Sequence, residues 1–203
     1  NPLYSAVVKE YLHSILTRNT PIEFFMEGGR SRTGRLLPPK AGMLAMAVHS
    51  QLRGAGGKPI ALIPTYFGYE RLMEGATYVG EMQGKPKEAE SVFGLLNATR
   101  KIERIFGKVH VNFGEPIFLD QVLTANHADQ IKLNIHDELP QPVIQTVDQV
   151  ANSILENINK AVVVNPISLI SLILLNTENH ALNENDLISQ IEQYRYLLND
   201  VKY

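Results

Sequence analysis

The spacing of apolar residues predicts a helix at the start of the chain. Apolar side chains recur at every fourth position, at Leu3, Val7, Tyr11 and Ile15. Pro2 suits the first turn of a helix, where its missing N–H has no intrahelical partner. The following Thr20-Pro21 pair ends the pattern. We therefore expect a first helix that is complete before residue 20.

Short apolar runs alternate with helical patterns over the next ~90 residues. Residues 22–26 and 60–67 have the composition of buried strands, and residues 109–113 alternate like a strand. Helical spacing lies between these runs, from Met43 to Leu52 and over 88–105. This order predicts an α/β arrangement with crossover helices. Within the second run, Pro64 cannot donate to a ladder and indicates a bulge or a strand end.

After Asp120 the pattern becomes helical, with helices predicted over 143–163, 166–176 and 184–199. The last has Asn183 as its cap and Asp186 where it can bond back. The apolar run at 166–175 has ten residues, whereas a membrane span needs about 20, so it predicts a core helix or at most an interfacial one. The sequence predicts two domains, 1–120 and 121–203.

The amino-acid composition excludes some kinds of functional site. The 203 residues include no cysteine, which excludes disulfides, thiolate metal sites and a cysteine nucleophile in this chain. The net charge is −2, but residues 1–119 hold 15 basic against 10 acidic residues, and 120–203 hold 4 against 11. The basic part suggests an anionic partner, although solvated charged faces explain it equally well. The opening Asn1-Pro2, without an initiator methionine, suggests a trimmed or truncated chain.

The most informative stretch, FFMEGGRSRTGR at 24–35, follows a predicted strand, where α/β proteins place ligands. The Gly28-Gly29 pair lets the backbone approach a ligand and present N–H groups to an anion. Arg30 and Arg32 alternate with Ser31, so both guanidinium groups can converge on one phosphate. The residue types also suit an RNA-binding segment or a surface loop without a ligand. The spacing of a Walker loop is absent.

Two further charged residues flank these arginines. Glu27 is an unusual neighbour for a phosphate, and we expect it to brace an arginine rather than to contact a ligand. Lys40 could assist the phosphate, and an ordinary solvated lysine explains it as well.

The stretch at 24–35 resembles the third conserved block of the glycerolipid acyltransferases, written Phe-x-Glu-Gly-x-Arg-Ser-Arg. IPTYFGYER at 63–71 resembles their fourth block, and VNFGEP at 111–116 is similar to the bacterial sn-glycerol-3-phosphate acyltransferases of the PlsB type. The resemblance spans nearly the whole chain. It implies an α/β fold in which a mixed sheet, incomplete here, is flanked by helices and followed by an all-helical C-terminal region.

The resemblance implies transfer of a fatty acyl group from acyl-carrier protein or acyl-CoA to the sn-1 hydroxyl of glycerol 3-phosphate. It requires no metal and no cofactor, and it places the protein peripherally on the cytoplasmic face of the bacterial inner membrane. The substrate-binding residues that it implies are Glu27, Gly28, Gly29, Arg30, Ser31, Arg32, Lys40, Pro64, Tyr69, Glu70 and Arg71. For the last three, a local Glu–Arg brace at a strand end is the simpler interpretation.

The family's catalytic pair, His-x-x-x-x-Asp, is not in this chain. None of the six histidines has an aspartate five positions later, and the nearest pattern, His110 with Glu115, falls in a predicted strand and turn and is interpreted as structural. The sequence therefore predicts a phosphate-binding part that is inactive alone.

Two alternatives remain open, a non-catalytic scaffold and a nucleic-acid-binding module that uses the Gly/Arg loop. The second is disfavoured by the negative net charge and by the expected burial of Phe24 and Phe25, so no nucleic-acid partner is predicted.

Overall fold

The computed structural model describes residues 2–29, 31, 34–70 and 107–200. Two compact units contain them. The first unit comprises Asn1–Thr65 and Phe113–Ala161, and the second comprises Tyr66–Asn112 and Val162–Tyr203. The domain boundary expected after residue 120 stays a prediction.

The first unit is mainly helical, with one small sheet. Its elements are α1 (Pro2–Thr17), α2 (Gly42–Leu52), a short 3₁₀ turn (Ala55–Gly57), β1 (Ala61–Leu62), β4 (Ile117–Phe118), α3 (Leu119–Ala125) and α4 (Gln141–Lys160). Strand β1 pairs with β4 in antiparallel register, so that Ala61 faces Phe118 and Leu62 faces Ile117.

Most of the second unit's described residues lie in a strand pair and two helices. Strand β2 (Thr65–Tyr69) pairs with β3 (Val109–Phe113), and α5 (Pro166–Leu175) packs against α6 (Glu184–Asp200). Asn165 caps α5, because its Oδ1 accepts the Ser168 N–H at 2.8 Å.

The core of the first unit lies where α2, α3 and α4 meet. Helix α4 buries one face that recurs at intervals of three and four residues, at Val143, Val147, Val150 and Ile154. Leu44 of α2 and Leu119 of α3 are almost fully buried in the same cluster. This spacing is that of an amphipathic helix on a core, and it packs α4 against α2.

Helix α1 is confirmed, but the apolar residues that predicted it face outward. Leu3, Val7 and Tyr11 are between 58% and 72% exposed, whereas Leu12 is buried. The contacts of α1 come from its other face, which packs on α2 and on the 3₁₀ turn at 55–57.

The prediction of a strand at 22–26 is wrong. Residues 20–25 lie in neither helix nor strand, and Phe25 is 76% exposed although Met26 is buried. An apolar run becomes a strand only when a neighbouring strand accepts its hydrogen bonds, and this segment instead meets a returning loop arm, where Met26 O accepts the Lys40 N–H. The expected burial of Phe25, used against nucleic-acid binding, is therefore also wrong.

The second run, 60–67, contains two strands instead of one. Strand β1 ends at Leu62 and β2 begins at Thr65, with Pro64 in the break between them, as its missing N–H predicted. The strand at 109–113 is confirmed. The helix expected at 88–105 lies outside the described residues.

The expected helices at Met43–Leu52, 143–163, 166–176 and 184–199 are confirmed as α2, α4, α5 and α6, within a few residues at their ends. The cap of α6 is also present, since Asn183 Oδ1 accepts the Asp186 N–H at 2.9 Å and the Asn183 amide donates to the Asp186 carboxylate. Strand β4 and helix α3 were not predicted. In the part of the chain that the structure describes, no helix combines the length and hydropathy needed to cross a bilayer.

The fold is thus a mixture of helices and small sheets. The described strands form two separate two-stranded sheets. Pro64 lies in the break between β1 and β2, and residues 114–116 lie between β3 and β4.

Candidate functional site

The Gly/Arg loop, residues 26–40, is closed at its base by a backbone hydrogen bond. The Lys40 N–H donates to Met26 O at 2.7 Å, so the chain returns beside the residue from which the loop starts. Met26 is buried in the core of the first unit, and α2 begins two residues after Lys40. The loop is therefore anchored at both ends to the packed part of that unit.

A second bond closes the loop nearer its tip. Glu27 Oε2 accepts the Leu37 backbone N–H at 2.7 Å. We expected Glu27 to brace an arginine, and the contact that the described residues show is the one between its carboxylate and the backbone of the returning arm. Arg30 and Arg32 lie outside the described residues, so the arginine part of that expectation, and their role at the phosphate, stay predictions.

The returning arm between these bonds contains Pro38 and Pro39. Leu37 and Lys40 lie on either side of the proline pair, and both donate their N–H groups to the outgoing arm. Prolines have no N–H and a fixed φ, so the arm is held at its two ends and stiffened between them.

Gly28 has a backbone conformation that its neighbours require. Its φ is +58°, in the left-handed region, and a Cβ there would lie 2.7 Å from Lys40 Cδ. The aliphatic stem of Lys40 therefore lies over the glycine. Gly34 has a φ of +75°, but a Cβ at that position would have open space for 4 Å around it, so its requirement for glycine is conformational alone.

Ser31 is the one residue of the predicted Arg-Ser-Arg core that the structure describes. Its Oγ is buried and makes no hydrogen bond within the described ranges.

Pro64, also in the first unit, has a structural role. Its carbonyl accepts the Gly114 N–H at 2.8 Å, and Gly114 is so close to α4 that a Cβ would lie 3.0 Å from Asn157 O. These contacts fix the turn between β3 and β4. A substrate contact for Pro64 stays a prediction.

In the second unit, Glu70 closes the end of the β2–β3 pair. Its N–H donates to Lys108 O at 3.1 Å, and its carboxylate accepts the Lys108 N–H at 2.9 Å. Arg71 lies outside the described residues, so the expected Glu–Arg brace stays a prediction. Tyr69 is half exposed. Substrate contacts for these three residues stay predictions as well.

Sequence reasoning missed a polar cluster between α1 and α2. His13 Nδ1 lies 2.7 Å from Ser50 Oγ, and Glu10 forms a two-pronged ion pair with Arg53 at 2.5 and 3.2 Å. The partners are 37 and 43 positions apart, and no spacing rule links them. The arginine hydrogen bonds lower the pKa of Glu10, against a smaller opposing effect of burial.

His49 is buried on α2. Its Nε2 lies 2.9 Å from Asp137 O, which fixes Nε2 as the protonated nitrogen, and its Nδ1 makes no hydrogen bond with any described residue. Burial lowers the pKa of His49, the bond to the Asp137 carbonyl opposes this, and the charges of Lys9 and Arg53 add to the lowering. Burial likewise lowers the pKa of His13.

No group of three or more metal-ligating side chains occurs among the described residues. His110 lies on β3 and Glu115 follows Gly114, in the turn that leads to β4. The structural interpretation of this pair stays a prediction.

Comparison with protein families gives the class first. The family model described as Acyltransferase matches residues 1–68, which include the loop at 26–40. The model described as Glycerol-3-phosphate acyltransferase C-terminal region matches residues 78–203, more than half of the chain. The chain belongs to the glycerol-3-phosphate acyltransferase C-terminal region family.

Curated relatives agree with this membership. Proteins named glycerol-3-phosphate acyltransferase match all of the chain at 42% identity in Pseudomonas fluorescens (strain SBW25) and at 48% in Xanthomonas campestris pv. campestris. A third, from Pseudomonas aeruginosa (strain LESB58), is 43% identical over 204 residues. The chain spans 24% of the length of the P. fluorescens and P. aeruginosa relatives and 23% of that of the X. campestris relative, which is about a quarter in each case.

Proposed function

We propose that the full protein transfers a fatty acyl group from acyl-carrier protein or acyl-CoA to the sn-1 hydroxyl of glycerol 3-phosphate, and that this chain supplies the phosphate-binding part. The observation that carries the proposal is the Gly/Arg loop, closed at Met26–Lys40 and Glu27–Leu37 within a chain of this family. A loop held at its base can present several donors to one dianion without being ordered by it.

Six of the predicted residues, all in the loop, have a role at the phosphate in this scheme. The guanidinium groups of Arg30 and Arg32 donate forked, charge-assisted bonds to the phosphate. The Gly28-Gly29 backbone allows close approach, and the Ser31 hydroxyl, which has no partner among the described residues, adds a donor. Lys40 adds a positive charge at the base of the loop.

The reaction itself needs a base that removes the proton of the attacking hydroxyl. The hydroxyl oxygen attacks the thioester carbonyl carbon, the C–S bond breaks, and the thiol leaves with a proton, giving lysophosphatidic acid. A histidine held by an aspartate suits this role and contributes about 10²–10⁴-fold. None of the six histidines here is followed by that aspartate, so we propose that the pair lies elsewhere in the full protein and that this chain alone is inactive.

The remaining assignments follow from the same proposal. Residues 1–120 belong to the acyltransferase domain, in which a mixed sheet is completed by further chain, and residues 121–203 form an all-helical region. The full protein works peripherally at the cytoplasmic face of the bacterial inner membrane, without a nucleic-acid partner. Tyr69, Glu70 and Arg71 are proposed to border the acceptor or acyl site.

Steady-state kinetics of the full-length protein test the loop's role. Arg30→Ala and Arg32→Ala each remove a charge-assisted bond worth about 1.5–3 kcal/mol, so the KM for glycerol 3-phosphate rises by about 10- to 100-fold. The KM for the acyl donor stays within about twofold. Arg30→Lys and Arg32→Lys should raise the KM for glycerol 3-phosphate less than the alanine variants do, because an ammonium keeps the positive charge but cannot form the two parallel hydrogen bonds of a guanidinium.

Arg18→Ala is the matched control, because Arg18 is exposed and lies outside the loop. Its kinetics should equal those of the unchanged protein. If Arg30→Ala or Arg32→Ala raises only the donor KM while glycerol 3-phosphate saturates normally, the loop binds the carrier and the assignment fails. If the full-length protein binds anions but transfers no acyl group, the non-catalytic alternative replaces it.

A further inference from the structure

The position of Glu27 raises a question of charge. It directly precedes the glycine pair of a loop proposed to hold a phosphate dianion, and like charges at close range oppose binding. A carboxylate in this place needs a positive or hydrogen-bonding partner. The structure gives it one, the Leu37 N–H at 2.7 Å.

The bond between Glu27 and Leu37 joins the two arms of the loop. The nine residues between them include Arg30, Ser31 and Arg32. A side chain of the outgoing arm therefore holds the backbone of the returning arm, one step beyond the backbone bond from Lys40 N to Met26 O. Lys40 adds contact by covering Gly28 with its stem.

We propose that Glu27 is a positioning residue, whose carboxylate joins the outgoing and returning arms of the loop by accepting the Leu37 N–H and thereby supports binding of the phosphate. This inference rests on the proposed function for the identity of the ligand. Two other roles for Glu27 compete with it, direct contact with the substrate and an ion pair with an arginine of the loop.

Conservative variants separate these roles. Glu27→Gln keeps an oxygen acceptor at the same reach but loses the charge, so the Leu37 bond survives. Glu27→Ala has no acceptor, and Glu27→Asp falls short by about one C–C bond, ~1.5 Å. A positioning role predicts that Glu27→Gln keeps the slow exchange of the Leu37 amide and the KM for glycerol 3-phosphate, while Glu27→Ala and Glu27→Asp lose both. An ion pair with an arginine predicts that Glu27→Gln raises the KM for glycerol 3-phosphate as much as Glu27→Ala does.

Amide hydrogen exchange of the full-length protein reports the bond directly. In a peptide covering 35–40, the first two residues lose their label and Pro38 and Pro39 carry no amide, so the signal comes from Leu37 and Lys40. Glu27→Ala should speed exchange at Leu37 by about 10- to 100-fold, the range for losing a bond to a charged acceptor. Lys40, bonded to Met26 O, is the internal reference and should change less.

Kinetics of the same proteins give the functional readout. Glu27→Ala should raise the KM for glycerol 3-phosphate by at least about tenfold with the donor KM unchanged, and Glu27→Gln should stay within about threefold of the unchanged protein. Glu23→Ala, which changes an exposed acidic residue four positions earlier, is the control and should alter neither readout.

The inference is overturned if Glu27→Gln loses as much as Glu27→Ala, or if Leu37 exchange is the same in Glu27→Ala and the unchanged protein. The two proposals fail separately. A full-length protein without acyl transfer to glycerol 3-phosphate defeats the proposed function, while the exchange experiment still decides whether Glu27 closes the loop.

Discussion

Replacing Gly28 by alanine tests the contact between the two arms at the glycine pair. The residue has a φ of +58°, and an alanine Cβ there would lie 2.7 Å from Lys40 Cδ and 3.4 Å from Lys40 Cβ and Cγ. The variant therefore carries two costs, the left-handed backbone and the displaced lysine stem.

Gly34→Ala is the matched control, because Gly34 also has a positive φ but has open space around its Cβ position. The left-handed conformation costs about 1–2 kcal/mol for alanine at either position. Displacing the Lys40 stem from its rotamer adds about 0.5–1.5 kcal/mol at Gly28 alone. We expect Gly28→Ala to be the more destabilising by that difference.

Urea unfolding of the full-length protein measures the difference. The unfolding is followed by amide exchange in peptides of the first unit, whose size gives an m-value of about 2 kcal/mol/M, so the midpoint of Gly28→Ala should lie about 0.3–0.8 M below that of Gly34→Ala. The KM for glycerol 3-phosphate should also rise more in Gly28→Ala, because the lysine stem and the closed loop move together.

A double-mutant cycle isolates the lysine stem. Lys40→Ala removes Cγ and Cδ, so in that background Gly28→Ala should cost no more than Gly34→Ala. Equal midpoints for the two glycine variants with Lys40 present would refute the proposed steric cost. Simple addition of the effects of Gly28→Ala and Lys40→Ala would refute it as well.

Two further predictions concern positions outside the loop. Burial lowers the pKa of His49 below 6.5, so the unfolded chain takes up the proton first and the folded state loses stability as the pH drops below about 6.5. The His49→Gln variant should therefore show a smaller change of the urea midpoint between about pH 7.5 and 5.5. An equal change in the variant and the unchanged protein would contradict this. Asn165→Ala removes the cap of α5 and should cost about 0.5–2 kcal/mol, seen as faster amide exchange at Ser168, whereas Asn185→Ala at an exposed position of α6 should leave that amide unchanged.

Helices were predictable because their signals are local. The apolar spacing of α4, the asparagine cap of α6 and the break before Pro21 each lie within a few residues of the element they define. The strand at 22–26 failed because pairing depends on what lies beside the chain. The apolar composition of this segment is typical of a strand, but it does not predict which backbone groups lie beside the segment. No sequence pattern predicts that the Met26 carbonyl accepts the Lys40 N–H of a loop arm.

The candidate site shows the same limit. The residue types at 27–32 indicate an anion-binding loop, because glycine and arginine suit that chemistry whatever surrounds them. The partner of Glu27 was not predictable, since every residue except proline has a backbone N–H and nothing distinguishes that of Leu37. The pair of His13 and Ser50 was equally hidden, because helix packing brings them together.

The proline pair of the returning arm has a consequence for the entropy of binding. Ordering the backbone of one residue costs about 1–2 kcal/mol, and residues 37–40 are ordered by two hydrogen bonds and by two fixed φ angles before any ligand arrives. A loop that closed only around its substrate would lose that entropy at each binding event. Here the free-energy cost of ordering residues 37–40, several kcal/mol, is met when the chain folds. The anionic ligand that we propose for this loop would therefore keep more of its contact energy as affinity.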